Sequence, residues 1–333
     1  MGALLYLSKV AIQKVLIIRL SSIGDIVLTS PIVRALKEQQ EVDLHFLVRK
    51  SFSPLLVHNE VIHKLWLYGN NEALIKRSLK AANFDLVIDL QKNTRSKSIC
   101  SAIGAKTITF DKKNIAKWFY VNFKYLKKDI PHIVSRYFDA VEKIGIKNDS
   151  KGLEFHLDPS IDTPPSLKNK EYYAVALGAA HKTKQIPGSI IKKICEKVNK
   201  KVVLLGGKKD SKKGDSIAQL LPMATNYAGS MSIQESAKII SEAKCLLTGD
   251  TGLMHIAVGL KIPTVTLWGS TVPEFGMYAY YGAEEFEHSN HQVKNLSCQP
   301  CSKLGKKKCP KGHFKCMKDH NIDEIVEKIS SFI

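Results

Sequence analysis

Short runs that are apolar at nearly every position alternate along this chain with segments of helical periodicity. They are VLIIRL (15–20), VDLHFLV (42–48) and FDLVIDL (84–90) in the first half, and YYAVAL (172–177), KVVLLG (201–206), KCLLTGD (244–250) and TVTLWG (264–269) in the second. A continuous apolar run, unlike one that is apolar at every second position, marks a strand covered on both faces, hence a parallel sheet flanked by helices. The expected class is α/β: two Rossmann-like domains whose parallel sheets face each other across a cleft. The 333 residues suit two cores better than one. LDPSIDTPPSLKNK (157–170), rich in Pro, Ser and Asp, reads as the linker, giving an N-terminal domain at 1–160 and a C-terminal domain at 161–333.

Two of these runs end alike. KVLIIRL passes through SSIGD, ending at Asp25, and KCLLTGD passes through TGLMH, ending at His255; each turn of Gly, Asp, Ser or Thr opens directly into a helix. Helix N-termini at the carboxyl ends of parallel strands present free N–H groups and a positive dipole end to anions, so two facing sites are expected. The formal charge of +19 adds a surface that attracts polyanions: nucleic acid, anionic lipid or phosphorylated glycans.

No stretch reaches the roughly 20 apolar residues of a membrane span. The opening MGALLYLSKVAIQKV has neither a basic leader nor an Ala-x-Ala site, and Tyr6 stands where a myristoylation signal needs Ser or Thr. A cytoplasmic protein is the expectation, with its seven cysteines reduced or metal-bound.

Four blocks carry a resemblance: RLSSIGDIVLTSPIVRALK (19–37), GAAHKTKQIP (178–187), LLGGKKD (204–210) and LLTGDTGLMHIAVGLKIPTVTLWGST (246–271). In order and across nearly the whole chain, they resemble the lipopolysaccharide heptosyltransferases, glycosyltransferase family nine. The resemblance implies a GT-B fold, an ADP-heptose donor in the C-terminal lobe, a lipid-linked acceptor carrying Kdo in the N-terminal lobe, and inverting transfer without a cofactor or metal.

Inverting transfer needs a base for the acceptor hydroxyl and positive charge for the departing diphosphate. The resemblance makes Asp25 the base, where the bland reading is a helix cap, and places Ser22 and Gly24 at the acceptor. On the donor side Asp250, Thr251 and Gly252 start a helix suited to a diphosphate, with His255 on its first turns. Lys184 matches the family lysine that faces the phosphates and leaving group, Thr183 adjoins it, and Asp210 falls at the acidic position near the ribose. Ile186 replaces a Trp common in relatives, which implies different packing there. Gln91, Lys92 and Arg95 follow FDLVIDL at a strand end and are expected to hold the acidic acceptor, a carboxylate being suited to Arg.

FDKKNIAKWFYVNFKYLKKD (110–129) interleaves lysines with Trp118, Phe119, Tyr120, Phe123 and Tyr125. It reads either as a peripheral contact with the anionic inner face of the inner membrane or as an amphipathic helix with core aromatics. Cys298, Cys301, Cys309 and Cys316 form C-x2-C-x7-C-x6-C around His313, which reads as a structural zinc shell or as free thiols in a packed loop. A nucleotide-sugar epimerase, or a transferase of another sugar, shares such a fold. The charge and cysteines would also suit a nucleic-acid binder, but no signature for one is present and no nucleic-acid partner is expected. No G-x-G-x-x-G follows a strand, which disfavours a dehydrogenase.

Overall fold

The computed structural model describes residues 12–125, 129–283 and 286–333. The N-terminal segment read above for targeting signals lies largely outside these residues, as do Lys127 and Lys128 of the basic aromatic stretch. The described residues contain eleven strands: β1 Lys14–Ile18, β2 Asp43–Arg49, β3 Lys64–Tyr68, β4 Leu86–Asp89, β5 Lys106–Thr109, β6 Tyr173–Ala176, β7 Val202–Leu205, β8 Ala224–Asn226, β9 Leu246–Gly249, β10 Thr264–Leu267 and β11 His288–His291. They form two sheets, β3-β2-β1-β4-β5 and β11-β10-β9-β6-β7-β8, parallel throughout.

The seven apolar runs named above are the seven interior strands, and the four other strands, β3, β5, β8 and β11, are the four sheet edges. Edge strands are paired on one side only and more exposed: β5 KTIT and β11 HSNH contain no fully buried residue. Central strands are buried outright, as in VVLL of β7 and LVID of β4, and helices cover both faces.

The expected helix from Asp25 is two helices, Ile23–Val27 and Ser30–Gln39. The break falls at Thr29, whose hydroxyl bonds back to the Ile26 carbonyl at 2.6 Å, a local competition that bends helices. Residues 157–170 contain neither helix nor strand. The apolar cluster of the first sheet takes in Ile256, Val258, Ala279 and Tyr281 from the second half, so the two halves share a core where they meet. Within the first half, Arg34 holds the segment that leads to the linker, binding Asp149 at 2.6 Å, Glu154 at 2.9 Å and the Gly152 carbonyl at 2.9 Å. Both turns singled out in the sequence lie at the carboxyl ends of central strands, β1 and β9, and there the halves touch.

Candidate active site

The first turn leaves β1 through Arg19, Leu20, Ser21 and Ser22, and the Ser21–Ser22 peptide is cis. Arg19 organises it. Its guanidinium contacts Asp25 Oδ1 at 2.6 Å, the Ser21 carbonyl at 2.9 Å, the Tyr137 hydroxyl at 3.2 Å and the Leu90 carbonyl. Ser22 donates its hydroxyl to Asp25 Oδ2 at 2.7 Å and its N–H at 3.2 Å. Burial alone would raise the Asp25 carboxyl, but Arg19 and Ser22 outweigh it and hold the group below its ordinary range. The Asp25 side chain keeps 23% of its exposure, so it closes the turn and still meets solvent. Arg19 was not singled out in the sequence, although a basic residue inside the apolar run VLIIRL is the signal that marks it.

In the second turn Asp250 Oδ2 meets Lys184 Nζ at 2.5 Å and accepts from the Thr271 hydroxyl at 2.8 Å. Thr251 Oγ1 lies 3.1 Å from Thr248 Oγ1, and the helix Gly252–Gly259 follows. The acid is tied into the fold, and a lysine is drawn to the mouth of the helix.

The two helix starts pack directly on each other. A Cβ at Gly24 would lie 2.5 Å from His255 Cδ2, and one at Gly252 would lie 2.6 Å from Ile23 Cγ2. Neither glycine has a positive φ, so the reason for glycine at both is the closeness of the elements and not backbone freedom. His255 is 2% exposed beneath Gly24, and burial pushes its imidazole down to about 4. It is buried and uncharged at neutral pH, packed beneath the first turn, and does not line the cleft. Its Nδ1 has no hydrogen-bond partner.

Around this contact lies a cleft of about 480 Å³ lined from both halves: Ser22, Ile23, Gly24 and Phe52 from the first; Gly178–Ala180, Gly206, Gly207, Asp210, Met231–Ile233, Ser236 and Thr251–Leu253 from the second. Phe52 and Met231 were not anticipated; with Ile23, Ile233 and Leu253 they give apolar surface to a space that also holds glycines, hydroxyls and the Asp210 carboxylate. Asp210 caps its own loop, accepting from Gly207 N–H at 3.0 Å. Lys213 supports the opposite wall, donating to the carbonyls of Ile186 at 2.5 Å and Leu177 at 3.2 Å, and burial pushes it down to about 8.

Some expected contacts are elsewhere. Thr183 is 3% exposed and its hydroxyl is occupied by Ser270 at 2.8 Å and the Lys306 loop at 2.7 Å. It anchors a loop and does not line the cleft. Ile186 is fully buried in the core of the second sheet, so the change from Trp alters core packing there. Gln91 accepts from the N–H groups of Leu20 and Ser21 at 2.9 and 3.2 Å, which makes it a support of the Asp25 turn. Lys92 donates to the Phe110 carbonyl at 2.7 Å and lines a second space of about 550 Å³ with Lys97, Lys112 and Lys113. Arg95 is exposed and stacks its guanidinium 5.6 Å from the Tyr68 ring centre, lining neither space.

The basic aromatic stretch contains the helix Asn114–Phe123. Trp118, Phe119 and Phe123 are exposed and touch one another, with ring centres 5.2–5.8 Å apart, while Tyr120 meets Phe275 on the inner side. Core packing therefore accounts for Tyr120 and not for the others. All seven cysteines are free. Cys298, Cys301, Cys309, Cys316 and His313 surround a narrow gap, with Cys298 Sγ 3.8 Å from His313 Nε2. Among the described residues no group of three or more His, Cys, Asp or Glu is arranged to hold a metal ion.

Two parallel α/β sheets, with a cleft between strand-end turns contributed by each, form the GT-B architecture. The sequence model of glycosyltransferase family 9 (heptosyltransferase) matches residues 73–314, and the chain belongs to that family. It is 25% identical over 319 residues to lipooligosaccharide heptosyltransferase 2 of Campylobacter jejuni, covering 92% of this chain and 95% of that one. The fold is similar to the family 9 glycosyltransferase of Veillonella parvula (TM-score 0.75, 16% identity, 97% and 98% covered). It is also similar to Escherichia coli heptosyltransferase WaaC with ADP-2-deoxy-2-fluoro heptose (TM-score 0.65, 17% identity, 96% and 99% covered).

Proposed function

We propose that this glycosyltransferase moves a heptose from ADP-heptose, with inversion, to a Kdo-containing lipid-linked acceptor of the lipopolysaccharide inner core. The supporting observation is the pairing of the two turns: the helix starts that follow Ser22 and Thr251 pack on each other at Gly24 and Gly252 beside one cleft, with Asp25 held in the first turn and Lys184 bound to Asp250 in the second. The donor choice draws on the ADP-heptose analogue held by WaaC, and the lipooligosaccharide class of acceptor on the name of the Campylobacter relative; the Kdo sugar is what the family resemblance implies.

In this reading residues 161–333 hold the nucleotide and residues 1–160 the acceptor. Asp210 takes the ribose hydroxyls with the oxygen that Gly207 leaves free, and Phe52 and Met231 flank the adenine. The N–H groups of Thr251 and Gly252 take the diphosphate, and Lys184 moves from Asp250 to the leaving phosphate as its charge develops. Asp25, held low by Arg19, is ionised throughout the physiological range and is a weak base. It therefore accepts the hydroxyl proton late, once the sugar carbon has become electrophilic. Gln91 and Arg19 keep it in place.

No helix among the described residues is long and apolar enough to cross a membrane. The outward Trp118, Phe119 and Phe123, on a helix flanked by lysines, suit peripheral contact with the anionic inner face of the inner membrane, where the lipid-linked acceptor lies. Replacing the three rings with Ser should weaken binding to anionic vesicles and leave transfer to a delipidated acceptor unchanged; unchanged vesicle binding would remove the contact.

A donor screen tests the whole reading. ADP-heptose should be consumed only when a Kdo-bearing acceptor is present, and UDP- and GDP-sugars should be inert. Donor conversion without acceptor would favour an epimerase, and preference for another nucleotide sugar would replace the donor.

A further inference from the structure

Lys184 stands at the end of a single 3-10 turn, Lys182–Lys184, laid across the carboxyl ends of β9 and β10. The crossing is close. A Cβ at Gly249, the last residue of β9, would collide with the Lys184 carbonyl, and one at Gly269, just beyond β10, with the Thr183 carbonyl. One 3-10 turn holds itself poorly, because its hydrogen bonds are few and badly aligned. What fixes this one comes from outside it.

Every backbone and side-chain polar atom of Thr183 is engaged. Its N–H donates to the Lys306 carbonyl at 3.1 Å and its carbonyl accepts from the Ser270 N–H at 3.2 Å. Its hydroxyl accepts from the Lys306 N–H at 2.7 Å and lies 2.8 Å from Ser270 Oγ. Lys306 belongs to the loop that carries the four clustered cysteines, and that loop is itself pinned to the end of β10. The N–H groups of Cys301 and Ser302 donate to the Ser270 carbonyl at 3.1 and 3.3 Å, and the Gln299 side-chain amide donates to the Gly269 carbonyl at 2.8 Å.

These contacts close a circuit on the donor lysine. Thr183 bonds Ser270; Ser270 is followed by Thr271, whose hydroxyl bonds Asp250; Asp250 holds the Lys184 ammonium; and Lys184 follows Thr183 in the chain. The lysine is thereby gripped at both ends, at its backbone by Thr183 and at its ammonium by Asp250. A lysine stem is long and rotamer-rich, so bringing its charge onto one oxygen of a diphosphate requires a fixed Cα. Thr183 is 3% exposed and does not line the cleft, so any effect it has on the donor passes through its neighbour.

We infer that Thr183 is a positioning residue for donor binding: clamped by Ser270 and by Lys306 of the cysteine loop, it fixes the backbone from which Lys184 reaches the diphosphate. The inference rests on the donor role of Lys184 proposed above. It gives the cysteine loop, which lies outside the cleft, a part in holding the nucleotide.

The experiment measures ADP affinity by calorimetry for the wild type, Thr183→Val, Thr183→Ser, Lys184→Ala and the double variant Thr183→Val/Lys184→Ala, with thermal melting of each. Thr183→Val keeps the shape and removes the hydroxyl that receives the Lys306 N–H, and it should bind ADP about fivefold or more weakly. Thr183→Ser restores the hydroxyl and should bind ADP as the wild type does. In the double variant Thr183→Val should add almost nothing to the loss caused by Lys184→Ala, because the two act through one ammonium; a merely structural role would leave the two losses multiplying. Wild-type ADP affinity in a cooperatively melting Thr183→Val, or multiplying losses, overturns the inference. If Thr183→Val does not melt cooperatively, Ser270→Ala decides by the same cycle: unchanged affinity, or a loss that multiplies with that of Lys184→Ala, overturns it. A wild type that does not bind ADP, or Lys184→Ala binding it as the wild type does, is a different pattern and overturns the donor reading itself.

Discussion

The turns at Asp25 and Asp250 are built from the same local pattern and reach opposite electrostatic ends. Each follows a buried central strand, places a carboxylate at the start of a helix and uses a glycine to let the other turn approach. Around Asp25 the fold supplies Arg19 from below and leaves the side chain 23% exposed, so a carboxylate is presented. Around Asp250 it supplies Thr271 and Lys184 and leaves the acid 10% exposed, so the acid is covered and a cation is presented. The difference comes from what the neighbouring strands deliver to each turn. A helix-start aspartate can serve as a base or as the anchor of a lysine, and its own sequence does not say which.

The largest expected effect breaks the comparison on the first side. Asp25→Asn keeps the shape and the Ser22 contacts but removes the base, and turnover should fall about 100-fold or more. Near-normal turnover in a steady-state assay would take Asp25 out of the chemistry and leave it as a cap.

The contact between the turns is next. A methyl group at Gly24 would sit 2.5 Å from His255 Cδ2, so Gly24→Ala should destabilise the fold by about 2 kcal/mol, read by urea unfolding. His255→Ala should relieve much of that loss in the double variant, because the two sites share one space. Additive losses would show that the close approach is not the constraint.

A smaller effect concerns Arg19. Burial alone raises the Asp25 carboxyl and Arg19 is the largest influence lowering it, so Arg19→Met should move the acid limb of kcat/KM to higher pH. The sign follows because the required carboxylate is lost as pH falls through its value, and that value has risen. At neutral pH the loss should be about tenfold. An unmoved acid limb would mean that another group sets it.

The smallest effect separates His255 from Lys184. Burial holds His255 near 4, so it brings no charge to the donor at neutral pH, and His255→Gln should change ADP affinity by less than about threefold. A larger loss would restore His255 as a phosphate ligand.

What the sequence made legible follows burial. The seven apolar runs identify strands enclosed on both faces, and these carry both turns. The edge strands β5, β8 and β11 escape the same reading because one side lacks a partner and water reaches their side chains; HSNH has no apolar residue to detect, whereas the edge strand β3, KLWLY, does carry an apolar run that was passed over. Asp25, Lys184, Asp210, Asp250, Thr251 and Gly252 were named from motifs and do gather at or around the meeting of the turns. Thr183 and His255 share those motifs and are buried off the cleft lining, since a motif gives position along the chain and not the direction of a side chain. Arg19 went unnoticed for a related reason: it is one of 50 Lys and Arg residues, and only the fold reveals that it is buried.

The division of labour between the turns is tested most directly by titrating ADP into Asp25→Asn and Lys184→Ala in parallel with the wild type. The account predicts that Asp25→Asn binds ADP as the wild type does, while Lys184→Ala, stripped of the cation beside the diphosphate, binds it about tenfold or more weakly. Equal losses in the two variants, or wild-type ADP affinity in Lys184→Ala, would contradict it.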